Sequence, residues 1–197
     1  MTLYRTPACV AVFLAGIVLP AASAPANHIP RATATLRSCA DPDLVVGSSQ
    51  LFEVPSAEAV KTVEVFVSVR GLTPGKHAVH IHAVGACTPT CAAAGSHLDL
   101  GPFGNNTPVT DNHPYHSGDL VNLNVGSDGR GTLLATTTRV ALTEATDRPD
   151  TRPLSLFDAD GSAIIIHALP DLYCPDPADP NCAGGARVAC GILQPAN

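Results

Sequence analysis

The sequence is short of aromatic residues and of positive charge. Its 197 residues include no Trp and only 4% aromatic residues, so the core must be built from aliphatic side chains. Lys and Arg number 11 against 17 Asp and Glu, a formal net charge of −6. This argues against a general nucleic-acid-binding protein, which needs clustered positive charge to displace counterions from phosphates. With 45% hydrophobic and 14% charged residues the chain is too apolar for disorder, and we expect one globular domain.

Long apolar runs are also scarce, and the single clear one lies at the N-terminus. It extends from Ala8 to Leu19, behind Arg5 and ahead of the small residues 21–24. This layout is typical of a secretory signal peptide, and the run is too short to span a bilayer. We therefore expect a signal peptide over 1–24, a flexible segment over 25–31 and a folded domain over 32–194. The mature protein is then secreted, to the periplasm if the source is bacterial, with no membrane span.

Export determines how the seven cysteines are interpreted. Cys9 leaves with the signal peptide, and six remain in an oxidising compartment: Cys39, Cys87, Cys91, Cys174, Cys182 and Cys190. An even set of this kind predicts three disulfides, although sequence alone permits fifteen pairings. Cys174 and Cys182 bracket a short Pro-rich loop and are candidates for a local bridge. A cysteine metal site is disfavoured because oxidation removes the thiolates.

In the remainder of the chain, apolar and polar residues alternate as is typical of β-strands. Residues 62–69 (TVEVFVSV) place four valines on one face, and a second alternation ends at Ser127-Asp128-Gly129, a hairpin signal. Short strands separated by turns indicate an antiparallel sandwich or barrel. The connections 83–118 and 168–186 are too long for simple turns, and function is commonly located on such loops.

Histidines are the residues most suited to chemistry. His80 and His82 are two apart in a predicted strand, so both rings project from one face and can converge on an ion. With His97 in the first long loop and His167 after the strand 163–166, four imidazoles suit copper or zinc. His113, His116 and Asp119 form a second set, with donors appropriate to zinc. A solvated polar loop is the alternative for this second set.

These motifs together resemble a known family. The matching segments are 71–82 (GLTPGKHAVHIH), 85–87 (GAC), 94–97 (AGSH), 116–120 (HSGDL), 165–167 (IIH) and 185–191 (GARVACG). They resemble the copper/zinc superoxide dismutases in order and nearly in spacing, over roughly 32–194. The resemblance implies an all-β, eight-stranded Greek-key barrel of the immunoglobulin-like sandwich class, with two long functional loops. It implies an enzyme that converts superoxide to dioxygen and hydrogen peroxide.

The resemblance also implies roles for individual residues. The copper ligands are His80, His82, His97 and His167. His97 also matches the ligand that bridges to zinc and delivers a proton, and His116 and Asp119 match further zinc ligands. Arg187 matches the guanidinium beside copper that attracts and orients the superoxide anion. Asp171 matches a carboxylate that joins the two metal sites through hydrogen bonds, Cys87 and Cys190 match the family's disulfide, and His77 matches a structural histidine.

The sequence departs from the family at three places. Asn105 stands where the family has its remaining zinc histidine, so zinc binding is left open, with His113 as the candidate substitute. Asn105 also begins a glycosylation sequon, and a glycan there would exclude zinc ligation by Asn105. The loop before Arg187 contains no Lys, so guidance of the anion rests mainly on Arg187. The four cysteines beyond the family pair are expected to brace loops.

Two other functions remain as alternatives at this point. A non-catalytic extracellular copper carrier on the same fold would explain the histidines, but it has no need for Arg187. A structural domain that has lost its metal would not retain all four copper-ligand positions. The sequence leaves the oligomeric state open, with a homodimer as one alternative.

Overall fold

The computed structural model describes residues 29–55, 61–101, 111–143, 155–176 and 178–196. The expected signal peptide and Asn105 lie outside these residues. Within the described ranges no helix has the length and apolar character needed to cross a membrane.

Antiparallel strands form a single sheet in the described part of the chain. They are β1 (Arg31–Ser38), β2 (Val45–Pro55), β3 (Lys61–Val69), β4 (Gly75–His77), β5 (Val79–His82), β6 (Leu123–Val125), β7 (Gly131–Thr137), β8 (Ala163–His167), β9 (Arg187–Ile192) and β10 (Gln194–Ala196). The order across the sheet is β4-β6-β7-β3-β2-β1-β9-β8-β5, and β10 pairs with β1. A short 3-10 helix, Cys91–Ala94, lies between β5 and β6.

The sheet closes on itself to form a barrel. Its two end strands, β4 and β5, are separated in sequence only by Ala78, so one stretch of chain forms both edges. Similarly, β9 and β10 are interrupted only at Leu193 and both pair with β1. The ten segments therefore amount to eight strands, which confirms the expected eight-stranded all-β barrel.

Aliphatic side chains fill the barrel, as the composition requires. Val63, Val65, Val67 and Val69 of β3 are all buried, which confirms the two-residue period of residues 62–69. The second alternation, which ends at Ser127-Asp128-Gly129, begins before its strand does. Val121 precedes β6 and is half exposed, unlike the inward valines of β3. The packed aliphatic interior gives the histidine-bearing strands a rigid support.

The two long connections meet where His113 of the first contacts Asp171 of the second, and three disulfides brace them. The bonds join Cys39 to Cys91, Cys87 to Cys190 and Cys174 to Cys182. The second and third are the pairings that the sequence and the family resemblance indicated, and the first uses the remaining two cysteines. The first long loop is thereby fixed at two points four residues apart.

Candidate metal centre

Four histidines from three parts of the chain converge below the two long loops. His80 and His82 project from β5, His167 ends β8, and His97 lies in the first loop, bridged to His82 in the antiparallel sense. All four are buried, and each offers a ring nitrogen within 4.8 Å of the others. The ring centroids of His80 and His97 are 4.0 Å apart. We refer to these residues as the four-histidine cluster.

Three of these rings have one nitrogen committed to the protein and one without a protein partner. His82 and His167 each donate from Nδ1 to a backbone carbonyl, of Gly95 and Gly185 respectively, at 2.9 Å. His80 donates from Nε2 to Asp171 Oδ2 at 3.0 Å. The opposite nitrogens, His80 Nδ1, His82 Nε2 and His167 Nε2, are buried and have no hydrogen-bond partner among the described residues. Because a carbonyl or an ionised carboxylate only accepts, each opposite nitrogen carries a lone pair in the neutral ring.

Burial keeps the rings of this cluster neutral. It lowers the pKa of His80 to about 3, with the neighbouring His97 acting in the same direction. Burial lowers the pKa of His167 to about 4 and that of His82 well below its ordinary value. The pKa of His97 is also lowered by burial, against the opposing effect of Asp119. Neutral imidazoles with unpartnered nitrogens are the form that binds transition metals, so the cluster fits copper or zinc.

A second cluster shares His97 with the first. Its other members are His113, His116 and Asp119, and all four are buried, with one ligand atom each within 4.8 Å of the others. Asp119 Oδ1 lies 2.8 Å from His97 Nδ1, and Asp119 Oδ2 lies 3.0 Å from His113 Nδ1 and 2.9 Å from His116 Nδ1. Three imidazole nitrogens thus surround one carboxylate. We refer to this set as the mixed cluster.

Charge in the mixed cluster is arranged differently from that in the four-histidine cluster. Burial would lower the pKa of His113, but the adjacent Asp119 carboxylate and the hydrogen bond with Asp171 outweigh burial and raise the pKa to about 9. The pKa of His116 is raised in the same way, against burial, mainly by Asp119. Burial would raise the pKa of Asp119, yet its histidine partners hold it well below the usual range. A divalent cation could take the place of the imidazole protons, which fits zinc with three nitrogens and one oxygen.

Asp171 connects the two clusters. Its Oδ2 accepts from His80 Nε2, and its Oδ1 lies 2.8 Å from His113 Nε2. The carboxylate is buried, which alone would raise its pKa, but the hydrogen bonds with His113 and His80 lower it. Asn122, to which the sequence analysis gave no role, holds this carboxylate in place. Its side-chain oxygen accepts from the Asp171 backbone nitrogen at 2.7 Å, and its amide donates to the Asp171 carbonyl at 3.0 Å.

Arg187 lies at the start of β9, half-buried beside the four-histidine cluster. It donates from Nη1 to the carbonyl of Cys91 at 2.6 Å and from Nη2 to the carbonyl of Gly95. Gly95 therefore accepts from both Arg187 and His82, which ties the guanidinium to the cluster. Burial lowers the pKa of Arg187, yet a guanidinium stays charged at neutral pH. The arrangement places a fixed positive charge next to the histidines, suited to an anionic ligand.

The remaining sequence candidates take structural positions. His77 belongs to neither cluster, since its Nδ1 lies 2.7 Å from the His167 carbonyl and its Nε2 lies 2.8 Å from that of Thr73. Gly118 was not singled out, although a Cβ there would lie 2.1 Å from the carbonyl oxygen of Ile81. Only glycine permits this close approach, which seats the loop against β5. The motif HSGD at residues 116–119, which contains Gly118, was the sequence signal that could have indicated this position.

The comparisons with known proteins agree with this geometry. The sequence model of the family described as copper/zinc superoxide dismutase matches residues 46–193. The superoxide dismutase [Cu-Zn] of Caulobacter vibrioides is 37% identical over 148 residues, covering 72% of this chain and 76% of that protein.

Solved structures show the same architecture. A SOD-like protein from Bacillus subtilis has a TM-score of 0.61 at 26% identity, covering 82% of this chain and 97% of that one. The Cu/Zn superoxide dismutase from Brucella abortus has a TM-score of 0.60 at 24% identity, covering 83% of this chain and 99% of that one. At that identity the Brucella structure supports the fold alone.

Proposed function

Because the chain belongs to the copper/zinc superoxide dismutase family, we propose that it is a secreted enzyme that converts superoxide to dioxygen and hydrogen peroxide. Copper and zinc are the metals of this family. Copper is assigned to the four-histidine cluster and zinc to the mixed cluster. The observation that carries the proposal is the set of three buried, unpartnered imidazole nitrogens beside a half-buried arginine.

The bound copper would supply the electron transfer, accepting one electron from a superoxide that leaves as dioxygen and giving one to a second superoxide. The protein's part is to attract the anion, orient it and deliver protons. Arg187 performs the first two tasks, since its guanidinium is held rigidly by two carbonyls beside the cluster. Two protons must reach the second superoxide to complete hydrogen peroxide. We assign one delivery to His97, whose ring lies between the two clusters with Nδ1 held by Asp119.

His113 supports the assignment of zinc. The sequence left this site open because Asn105 occupies the family's histidine position. In the structure, His113 Nδ1 lies beside Asp119, and its Nε2 lies beside Asp171. A histidine eight residues further along the loop thus supplies the missing nitrogen, and its outer nitrogen is oriented by a carboxylate as in other zinc sites.

Export is proposed on separate grounds. The three disulfides use all six cysteines that remain after Cys9. Disulfides at this density persist in oxidising compartments, and the apolar N-terminal run supports a signal peptide.

The proposal is tested by measuring metal content and superoxide dismutation on the same sample of purified, copper- and zinc-loaded protein. We expect one copper and one zinc per chain, with activity. Activity with copper alone would support the dismutase proposal and contradict the assignment of zinc to the mixed cluster. Copper without activity would overturn the dismutase proposal in favour of a copper carrier.

Replacing Arg187 by Ala is expected to lower the dismutation rate constant by about tenfold, the lower end of electrostatic effects on association rates. Copper content should stay unchanged, because Arg187 contacts carbonyls and offers no donor atom to a metal. Stopped-flow kinetics over a range of ionic strength would measure the effect. The salt dependence should weaken in the variant, because the positive charge whose attraction salt screens has been removed.

The matched control is Arg70→Ala, which removes the same charge from an exposed position on the barrel. It should change the rate constant little. Equal rates for the parent protein and the Arg187 variant would remove the steering role.

A further inference from the structure

Arg139 is a second arginine near the metal centre, and nothing in the proposed reaction uses it. It follows β7 closely and is half-buried. Its Nη1 donates to the carbonyl oxygen of Pro114 at 3.2 Å, and its Nη2 donates to that of Asp119 at 2.6 Å. It therefore spans from the barrel to the first long loop.

The two acceptor carbonyls belong to the turn 113–119, which carries three members of the mixed cluster. Pro114 directly follows His113, and Asp119 is itself a member, with His116 between them. Within the turn, Tyr115 donates from its backbone nitrogen to Asn112, and Asp119 donates to His116. These local bonds shape the turn but do not fix its position on the barrel.

Hydrogen bonds to backbone groups of the turn hold it in position from two sides. On the side of the four-histidine cluster, the Gly118 backbone donates to Leu98 and accepts from Ile81, both at 2.8 Å. On the side facing β7, Arg139 holds the turn at Pro114 and Asp119. The guanidinium is planar, so its two donating nitrogens have a fixed separation. The two carbonyls, and with them the spacing between His113 and Asp119, are held to match that separation.

We propose that Arg139 is a positioning residue for the second metal site, and that its guanidinium preorganises the turn 113–119 for zinc. This inference rests on the proposed function, which assigns zinc to the mixed cluster. Residues that orient ligands without touching the metal typically change metal affinity by about 10- to 100-fold when replaced. The four-histidine cluster shares only His97 with this turn, so copper affinity should change little.

The test compares the parent protein with Arg139→Ala, Arg139→Lys and Arg130→Ala. Copper is loaded first, so that added zinc reports on the mixed cluster, and zinc affinity is measured by competition with a chromophoric chelator. We expect Arg139→Ala to weaken zinc binding by about 10- to 100-fold. Arg139→Lys should also weaken zinc binding, since an ammonium keeps the positive charge but lacks two donating nitrogens at a fixed separation. Arg130→Ala should match the parent, because Arg130 is exposed on the hairpin before β7.

Two further measurements separate positioning from a general loss of structure. Copper affinity and the near-ultraviolet circular dichroism should stay at parent values in both Arg139 variants. Amide hydrogen exchange of the metal-free protein should rise over 112–119 in the Arg139→Ala variant and not over β3.

The outcomes distinguish the inference from its premise. A parent protein that binds no zinc would overturn both the zinc assignment and the role of Arg139. A parent protein that binds zinc, with equal affinity in Arg139→Ala, would overturn the role of Arg139 alone. Parent-like zinc affinity in Arg139→Lys would also overturn it, because a point charge would then suffice.

Discussion

Replacement of His97 by alanine is expected to abolish dismutation, reducing the rate to that of the metal-free protein. His97 is the one residue common to the four-histidine cluster and the mixed cluster. Its Nδ1 is held by Asp119 at 2.8 Å, which leaves the other ring nitrogen for the four-histidine cluster. Alanine therefore removes a ligand from each site and the proposed proton donor. Metal analysis by mass spectrometry, together with a dismutation assay, measures both losses.

His116→Ala is the matched control for this prediction. His116 belongs to the mixed cluster alone, so its loss should reduce zinc content while copper and part of the activity remain. If the His97 variant retained full copper occupancy and parent activity, the shared-ligand assignment would be wrong.

Removal of both metals, each of which stabilises the folded state separately, is expected to lower the melting temperature by roughly 20 °C. A ligand present at about 1,000 times its dissociation constant stabilises the folded state by about 4 kcal/mol. For a chain of this size, each kcal/mol corresponds to about 2–4 °C. Without metal, three buried nitrogens of the four-histidine cluster have no hydrogen-bond partner in the described structure, which is itself destabilising. Differential scanning calorimetry before and after chelation measures the shift.

Adding back copper and zinc should restore the melting temperature, whereas calcium should not, because imidazole nitrogens are poor calcium ligands. Identical melting temperatures with and without chelation would contradict metal binding by these clusters.

The barrel was predictable where the side-chain pattern is long and regular. β3 alternates over residues 62–69, and its inward valines could be assigned from the sequence alone. By contrast, β4 and β10 each have three residues, too few for a period to be recognised. Their pairing partners lie far away along the chain, so only the closed sheet defines them.

The metal centre was predictable to a similar extent. The spacing of His80 and His82 placed both rings on one face, whereas His97 and His113 lie on loops, where no period constrains direction. The position of His113 depends on its contacts with Asp119 and Asp171. Asp171 is 58 residues away along the chain, and no local pattern indicates either contact.

Disulfide connectivity shows the same limit. Six cysteines permit fifteen pairings. The partnership of Cys39 with Cys91 depends on β1 lying beside β9, because Cys190 of β9 is bonded to Cys87 of the loop that carries Cys91. The roles of Arg139 and Asn122 were missed because both act through backbone atoms of the loops, and side-chain patterns carry no record of such contacts.

The strand segment 75–82 forms both edges of the sheet, and this has a consequence for the order of folding. β5, which carries His80 and His82, pairs with β8, so its hydrogen-bonding partner and His167 are synthesised much later. Such non-local pairing is slow, because the entropy of loop closure must be overcome before the contacts form. The four-histidine cluster therefore requires the pairing of β5 with β8, and we expect it to be complete only after that pairing has formed. Copper acquisition then reports that this pairing has formed.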